Sequence, residues 1–206
     1  MSEDDVILAR KILACRLCAE RFAATDTHHE PRPVPWFRGS ARLVIAGQAP
    51  GLRVHEAGRP FADRSGDRLR DWMEVGEATF YDRDRIAVVP MAFCFPGYDA
   101  KGSDLPPPAI CARSWQARVL AVLPRVELIL TVGAAAQRWH LGERRKVSEV
   151  VADWRAILGR NSPGPRILPL PHPSWRNTAW LKRHPWFEAE LLPVLRAEVA
   201  RILELP

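Results

Sequence analysis

Four cysteines are the residues of this 206-residue chain whose type and spacing most directly indicate chemistry. Cys15 and Cys18 form a C-x-x-C pair, and Cys94 and Cys111 form a C-x16-C pair. Two such pairs are typical of four thiolates around one centre, either tetrahedral zinc or an iron–sulfur cluster. Disulfides are not expected, because the sequence carries no sign of an oxidising compartment. We therefore predict a shared metal centre, and the spacing alone leaves zinc and a cluster both open. Two unrelated buried pairs of cysteines are the alternative.

The turn Gly47–Gly51 and the segment 58–67 are a second group of candidates. The turn reads Gly-Gln-Ala-Pro-Gly and follows an apolar run, so its backbone amides can point at an anionic or carbonyl oxygen. An ordinary strand-to-loop turn would have the same composition. In the later segment, Phe61 suits a stacking platform and Asp63 suits a base or charge stabiliser. In the alternative interpretation, Phe61 is part of the core and Asp63 helps to cap a helix.

A third candidate is the segment Leu170–Asn177, in which His172 lies between two prolines. A histidine restrained in this way is a rigid donor for an oxyanion that develops during a reaction. A satisfied surface or core histidine is the alternative. Trp175 and Arg176 follow it. The Trp175 ring could wedge into a duplex, and the Arg176 guanidinium could bind a phosphate.

Composition narrows the class of partner. The formal charge is +6, and arginine supplies 26 of the 30 basic side chains, which suits an anionic partner such as nucleic acid. The longest apolar runs, such as residues 126–136, are shorter than the roughly 18–20 residues of a membrane span. The acidic N-terminus lacks the layout of a secretory signal. We expect a monomeric, cytoplasmic and nucleoid-associated protein with no membrane contact, folded as a single domain over residues 1–206.

The elements that position these candidates alternate between strand and helix. Near-continuous apolar strands are typical of a parallel sheet that is covered on both faces, and its ligand site lies beyond the strand carboxyl ends. The predicted fold class is α/β, with three α/β/α layers around a central, mostly parallel four-stranded sheet. The predicted strands are Arg42–Gly47, Arg85–Met91, Val126–Val132 and Arg166–Leu170.

Helices are predicted between and around these strands, together with a covering loop over residues 22–39. Ser65 is predicted to cap the N-terminus of one helix. Pro193 should kink or divide the last helix. The predicted ranges are residues 4–20, a helix opening at Ser65, about 109–123, Gly133–His140, near 148–158, and Pro185 to about Leu203.

Taken together, these motifs resemble the uracil-DNA glycosylase superfamily. The matching segments are Gly-Gln-Ala-Pro-Gly, the following Gly-x-Pro-Phe, a late His-Pro-Ser and the two cysteine pairs. The resemblance is greatest to the iron–sulfur branch, families four and five, and runs from about Leu13 to the C-terminus. It implies a uracil-DNA glycosylase-like fold and favours a [4Fe–4S] cluster over zinc. That cluster would tie the N-terminal helix and the 22–39 loop into the domain.

The resemblance also implies a reaction. A damaged nucleotide flips out of DNA into the pocket, Phe61 stacks on the base, and His172 stabilises the negative charge on the departing base. A carboxylate steadies the sugar cation or activates water. The implied base-binding residues are Gly47, Gln48, Ala49, Phe61 and Met91, and the implied DNA-binding residues are Ser174, Trp175 and Arg176.

The chain departs from the family in the position of its acid. Other branches carry Asp at the third or Glu at the second position of the first motif, where this chain has Ala49 and Gln48. Asp63 matches, with a one-residue shift, the acid of an Asp-x-Ser-Gly segment in family five, so Asp63 and His172 are the predicted catalytic residues. Asp67 and His55 are the alternatives for the acid. Pro90 occupies the place of the Asn that reads the uracil edge in family four, which leaves the excised base open.

We therefore predict a DNA glycosylase that excises uracil or another deaminated base by base flipping and hydrolysis of the N-glycosidic bond, in base excision repair. The missing acid of the first motif keeps one alternative open, a non-catalytic iron–sulfur member of the superfamily that recognises damaged or single-stranded DNA. A variant that links covalently to the sugar is not favoured, because no matching histidine-bearing basic insertion is present. A zinc-stapled hydrolase of free nucleotides is the alternative from a different class.

Overall fold

A sheet of four parallel strands forms the centre of the computed structural model, which describes residues 3–161 and 163–205. The order is β2-β1-β3-β4, with Leu43 of β1 paired to Ile86 of β2 and to Leu128 of β3. Leu128 in turn pairs with Arg166 of β4. The strands are Leu43–Ala46 (β1), Ile86–Val88 (β2), Leu128–Val132 (β3) and Arg166–Leu170 (β4).

Helices cover both faces of the sheet, which confirms the predicted three-layer α/β/α class. Alternate strand residues face opposite layers: Leu43 and Ile45 pack with one core cluster, and Val44 and Ala46 pack with the other. The helices are Glu3–Leu13 (α1), Ala19–Ala23 (α2), Leu52–Ala57 (α3), Arg64–Met73 (α4), Glu77–Phe80 (α5), Ala109–Ala121 (α6), Ala134–Leu141 (α7), Val147–Ala152 (α8), Trp154–Leu158 (α9), Thr178–Arg183 (α10) and Leu192–Leu203 (α11). A 3-10 turn at Trp175–Asn177 and a π-helical turn at Phe187–Leu191 precede α10 and α11.

Each predicted strand is present, and β4 has its predicted bounds. β2 ends at Val88, three residues before the predicted end at Met91. Pro90 has no N–H to donate to a ladder, so the regular pairing stops there. The chain nevertheless stays beside β1, because the Met91 amide donates to the Gly47 carbonyl at 2.9 Å.

Two helix predictions were wrong in their boundaries. The predicted helix 4–20 is two helices, α1 and α2, separated by a turn that contains the C-x-x-C pair. The Arg16 guanidinium donates to the carbonyls of Leu13 and Cys15, which stabilises the end of α1. The predicted helix near 148–158 is also divided, into α8 and α9 at Asp153.

The predicted cap at Ser65 was wrong as well: Asp63 is the N-cap of α4. The short helices α3, α5 and α10 were not predicted, because helices of four to six residues depend on tertiary packing rather than on a strong sequence period. Pro193 lies in the first turn of α11, directly after the π-helical turn, so the predicted division of the last helix is confirmed.

Residues 22–39 cover the edge of β2. The Val88 amide donates to the Trp36 carbonyl at 2.7 Å, and the Val34 amide donates to the Phe93 carbonyl at 2.8 Å. Phe22 belongs to α2 rather than to this loop. The predicted domain covers residues 1–206, and its residues 1, 2, 162 and 206 lie outside the part of the chain that the structure describes. In the described part of the chain, no helix has the length and apolar character of a membrane span.

Candidate active site

A cleft of about 700 Å³ lies at the carboxyl ends of the strands. Its walls come from the turn after β1, the segment before α4, the loop 98–104 and the segment after β4. The cleft brings together nine predicted site residues, namely Gly47, Gln48, Ala49, Phe61, Asp63, His172, Ser174, Trp175 and Arg176. These residues therefore line one cleft, although they are separated by up to about 130 positions in the sequence.

Phe61 forms one wall of the cleft and is held in an unusual backbone conformation. Its φ of 53° is in the left-handed region, which a bulky residue adopts only when its surroundings enforce it. The Tyr81 hydroxyl donates to the Phe61 carbonyl at 3.1 Å, and the Phe80 ring packs edge-on at 6.0 Å between centroids. A Cβ on Gly66 would lie 1.9 Å from the Phe61 carbonyl oxygen, so only glycine fits there. The ring is thus fixed, with one side on the cleft.

Asp63 begins α4 and has one carboxylate oxygen committed to that helix. Its Oδ1 accepts hydrogen bonds from the amides of Ser65 and Gly66, each at 3.0 Å. Oδ2 accepts none from the residues that the structure describes. The helix N-terminus favours a negative charge at this place. Capping therefore fixes the carboxylate at the cleft and leaves one oxygen for a ligand.

His172 is held as a donor by its own segment. Its Nδ1 accepts a hydrogen bond from the Ser174 amide at 3.2 Å, so the neutral ring carries its proton on Nε2. Asn177 donates its side-chain amide to the His172 carbonyl at 2.7 Å. Burial lowers the pKa of His172 below its ordinary value, and the negative charge of Asp63 opposes that shift. The ring is therefore neutral at neutral pH, with Nε2–H available in the cleft.

The segment after His172 is tied to α4 and presents an aromatic side chain to solvent. Arg68 donates from Nη1 to the Ser174 carbonyl at 2.9 Å. Trp175 is 74% exposed, and the Arg176 guanidinium lies 6.0 Å from its ring centroid. Sequence reasoning missed Arg68 and Asn177, because their partners are backbone groups rather than a recognisable motif.

The turn after β1 supplies backbone amides to the cleft. The carbonyls of Gly47 and Gln48 accept from the amides of Met91 and Ala92 at 2.9 and 3.1 Å, which holds the turn against the end of β2. Within residues 3–161 and 163–205, the amides of Gln48 and Ala49 donate no hydrogen bond. These two N–H groups are therefore available to an acceptor in the cleft.

The structure does not bring Met91 to the cleft. Its side chain is only 3% exposed and packs with the core cluster on one face of the sheet. Pro90 lines the cleft instead. Because side chains alternate along an extended segment, placing Pro90 at the cleft turns Met91 to the interior.

The two alternatives for the acid also lie outside the cleft. Asp67 is exposed and pairs with Arg70 at 2.5 Å. His55, on α3, packs edge-on against the His29 ring at 5.4 Å between centroids. Burial lowers the pKa of His55, and the nearby His29 lowers it further.

The loop 98–104 carries four cleft residues that sequence reasoning missed, namely Tyr98, Gly102, Ser103 and Asp104. Asp99 builds this loop, because its Oδ1 accepts from the amides of Lys101 and Ser103 at 2.9 Å each. Burial raises the pKa of Tyr98, and nearby Asp104 adds to that rise. The pKa of Asp104 is raised by partial burial and by Asp63, against the effect of Arg176. The sequence signal was Asp-Ala-Lys-Gly-Ser, residues 99–103, in a Pro- and Gly-rich stretch.

The four cysteines line a second, much smaller cavity of about 20 Å³. Cys15 and Cys18 come from the turn between α1 and α2, Cys94 follows β2, and Cys111 belongs to α6. All four are free thiols. The remaining lining is apolar and includes Ile12, Phe22, Phe93 and Trp115. The structure thus brings together two cysteine pairs that have 75 residues between them in the sequence.

Burial raises the pKa of Cys94 well above its usual range, and Cys111 adds to the rise. Burial also raises the pKa of Cys111, to about 11. Among the described residues, no group of three or more His, Cys, Asp or Glu side chains is placed to hold a metal ion. The shared metal centre therefore stays a prediction.

A protein-family model matches most of the chain. The family model described as the uracil DNA glycosylase superfamily matches residues 34–196. The matched segment contains all four strands and every residue that lines the cleft. Cys94 and Cys111 lie within it, whereas Cys15 and Cys18 precede it.

Proposed function

Since the chain belongs to the uracil DNA glycosylase superfamily, we propose that it removes uracil or another deaminated base from DNA and leaves an abasic site, the opening step of base excision repair. Membership supports a glycosylase type of activity and DNA as the partner. The observation that carries the proposal is the cleft in which Phe61, Asp63 and His172 line one space. An aromatic wall, a carboxylate and a rigid donor are the groups that cleavage of an N-glycosidic bond requires.

Base binding in this proposal uses the β1 turn and Phe61. The target nucleotide leaves the stack and enters the cleft, where the Phe61 ring stacks on the base. The free amides of Gln48 and Ala49 donate to a base carbonyl oxygen. Because both the ring and the turn are fixed by hydrogen bonds before the base arrives, little ordering is needed on binding.

Bond cleavage divides between His172 and Asp63. The bond between C1′ and the base nitrogen breaks, and its electron pair goes to the base. His172 donates a hydrogen bond from Nε2 to the base oxygen on which that charge accumulates. The Asp63 carboxylate faces the positive charge that develops on the sugar. Water then adds to C1′ and passes its proton to the free Asp63 oxygen.

DNA contact falls to the segment after β4. Trp175 is exposed enough to enter the stack at the gap that the flipped nucleotide leaves. Arg176 lines the cleft mouth beside it and suits a phosphate. Removing the Arg176 charge should make the plot of log affinity against log salt concentration less steep. The slope should change by about one, which corresponds to the loss of one phosphate contact.

The glycosylase assay is the direct test. Oligonucleotides that contain uracil, hypoxanthine or xanthine, in single- and double-stranded form, are incubated with the protein, and abasic sites are detected by alkaline cleavage. Base release by the wild-type chain and its loss in Asp63→Asn support the proposal. Absence of base release on every substrate, together with tight binding to the same oligonucleotides, would replace it with the binding-only alternative. The structure offers that alternative one argument, since capping α4 is by itself a sufficient use of Asp63.

We also propose that Cys15, Cys18, Cys94 and Cys111 hold a [4Fe–4S] cluster. The support is that one cavity gathers four free thiols in an otherwise apolar lining, which suits a cluster with four cysteine ligands. The cluster would supply a structural crosslink between the α1–α2 turn, the end of β2 and α6.

Anaerobic purification should yield a brown protein with iron and inorganic sulfide in equal amounts. Cys94→Ser should lose the colour and unfold at lower denaturant concentration. The matched control is Ser65→Ala, which changes a similar side chain outside the cavity and should keep the iron. Stoichiometric zinc without sulfide would exclude the cluster.

A further inference from the structure

Arg68 is a half-buried arginine of α4 that the proposed reaction leaves without a role. Both hydrogen bonds of its guanidinium go to the segment after β4. Nη1 donates to the Ser174 carbonyl at 2.9 Å, and Nη2 donates to the Thr178 hydroxyl at 3.4 Å. Arg68 is not one of the described residues that line the cleft. It therefore acts on a bound nucleotide only through the residues that it holds.

These two contacts hold both ends of the turn that carries Trp175. The 3-10 turn Trp175–Asn177 begins directly after Ser174 and ends directly before Thr178. A guanidinium presents its N–H groups in a fixed planar fork, so one arginine can hold both ends at a set separation. The contact to Ser174 is the shorter one, and its charged donor makes it stronger than a neutral hydrogen bond. The turn is thus fixed against α4.

Ser174 connects this contact to His172. The Ser174 amide donates to His172 Nδ1 at 3.2 Å, and the Ser174 carbonyl accepts from Arg68. The hydrogen bond to Nδ1 keeps the ring proton on Nε2, the nitrogen that donates to the leaving base in the proposed reaction. Because 3.2 Å is the long limit of the usual range, a small displacement of Ser174 breaks this bond. Arg68 therefore controls, through one residue, which nitrogen of His172 donates.

The same helix carries Asp63. Asp63 is the N-cap of α4, and Arg68 follows in the second turn of the helix. The other face of α4 is anchored in the core, where Leu69 and Trp72 are buried. One rigid element thus sets the separation between the carboxylate that faces the sugar and the imidazole that faces the base.

We propose that Arg68 is a positioning residue for the reaction, which fixes the tautomer and the place of His172 relative to Asp63 by holding Ser174. This inference rests on the proposed function and adds to it a residue that does not touch the substrate. A catalytic group displaced by about 1 Å can cost about a hundredfold in rate. The contribution of Arg68 should therefore appear in the rate of bond cleavage.

The first test is the maximal single-turnover rate of Arg68→Met. Methionine keeps the apolar stem of the side chain and removes every donor, so we expect the rate per folded molecule to fall by about tenfold to a hundredfold. Arg68→Lys keeps the charge and loses the fork, and its rate should lie between those of Arg68→Met and the wild-type chain. A wild-type rate in both variants would overturn the proposal.

The effect should disappear when His172 is absent. If Arg68 acts through His172, Arg68→Met should change the rate of His172→Ala by about twofold at most, because residues that act as one unit are not additive. If Arg68→Met slows His172→Ala as much as it slows the wild-type chain, the proposal is overturned, since Arg68 would then act on DNA or on another residue.

Arg196→Met is the matched control. Arg196, on α11, also donates to backbone carbonyls of this region, those of Asp71 and Trp72 at 3.3 and 3.4 Å. These carbonyls lie at the end of α4 opposite to Asp63. The control reports the loss of stability when an arginine no longer holds backbone carbonyls, and it should leave the rate per folded molecule unchanged.

The His172 ring supplies a measurement that does not need activity. In a long-range ¹H–¹⁵N correlation spectrum of the full chain at neutral pH, His172 should carry its proton on Nε2, and His172→Gln identifies its signals by their loss. Arg68→Met should shift the ring towards the Nδ1–H tautomer, and Arg196→Met should not. An unchanged tautomer in Arg68→Met would overturn the proposal. A wild-type chain that releases no base contradicts the proposed function instead, and this spectrum still decides whether Arg68 positions His172.

Discussion

The two ends of the parallel sheet differ in whether their polar groups are paired. At the amino ends of the strands, charges are paired: Arg42 contacts Glu127 at 2.7 Å, and Arg201 contacts the same carboxylate at 3.0 Å. Arg166, at the start of β4, pairs through both guanidinium nitrogens with Glu198. At the carboxyl ends, the amides of Gln48 and Ala49 and His172 Nε2 face the cleft without a described partner.

This difference indicates that the carboxyl ends of the strands serve function and that the amino ends serve stability. The left-handed backbone of Phe61 costs free energy in the unliganded protein, about 1–3 kcal/mol for a strained residue. At the amino ends, the charged side chains are paired with one another. We therefore expect substitutions at the carboxyl ends to change the reaction and substitutions at the amino ends to change the free energy of unfolding.

Asp63→Asn should have the largest effect. Removing the negative charge should lower the single-turnover rate by about 10²–10⁴, the range of an acid–base contribution. Asparagine caps helices as well as aspartate does, so the free energy of unfolding should hardly change. Asp63→Ala is the matched variant, because it removes the cap as well and should cost about 0.5–2 kcal/mol of stability. A near-full rate in Asp63→Asn would contradict the role of Asp63 and direct attention to Asp104.

His172→Ala should lower the rate by on the order of 10²–10³, the usual loss for one oxyanion donor. Binding to substrate DNA should survive, since His172 is not assigned to phosphate. His172→Gln, which keeps a side-chain donor, should recover part of the rate. If both variants bind DNA weakly and the rate of bound complexes is unchanged, His172 acts in binding rather than in charge stabilisation.

Phe61→Ala should lower activity by about one to two orders of magnitude, since base stacking contributes roughly 1–3 kcal/mol and each decade corresponds to about 1.4 kcal/mol. Phe61→Tyr keeps the ring and should keep most of the activity. Activity has to be expressed per folded molecule, because Phe61 also packs on Phe80. Lower stability with unchanged activity would show that Phe61 is a core residue only.

The strands and several of the cleft residues could be predicted from the sequence, because their signals are local. Apolar runs predicted all four strands, and β4 agrees residue for residue, because a buried strand needs continuous apolar side chains. His172, Phe61 and Asp63 were found from motifs that stand directly beside strand or helix ends. Met91 was assigned to the cleft on its place beside Pro90, and strand alternation turned it into the core instead.

Features built by contacts between distant residues could not be predicted. Arg42 and Glu127 are 85 positions apart, and nothing in either segment marks them as partners. Tyr98 and Asp104 reach the cleft only because Asp99 turns their loop. Capping by Asp63 was the alternative interpretation of that residue, and the hydrogen bonds from the Ser65 and Gly66 amides confirm it over the predicted cap Ser65.

Glu198→Gln should give the smallest effect and should confine it to stability. Its loss breaks contacts to Arg166 and Arg201 at the amino end of the sheet and should lower the free energy of unfolding by on the order of 1 kcal/mol. The midpoint of urea unfolding measures this change, and the rate per folded molecule should stay at the wild-type value.

The same network should make the wild-type protein sensitive to acid. The hydrogen bond from Arg166 lowers the pKa of Glu198, and the one from Arg42 lowers the pKa of Glu127. A lowered pKa in the folded state means that the charged form is stabilised by folding. That contribution is complete above the ordinary carboxylate pKa of about 4.3 and is lost as the pH falls through the folded value. The midpoint of urea unfolding should therefore fall between pH 6 and about pH 3–4 in the wild-type protein, and it should fall less in Glu198→Gln. If Glu198→Gln leaves the acid sensitivity of unfolding unchanged and slows the reaction, the amino end of the sheet affects function rather than stability. That result would contradict the proposed difference between the two ends.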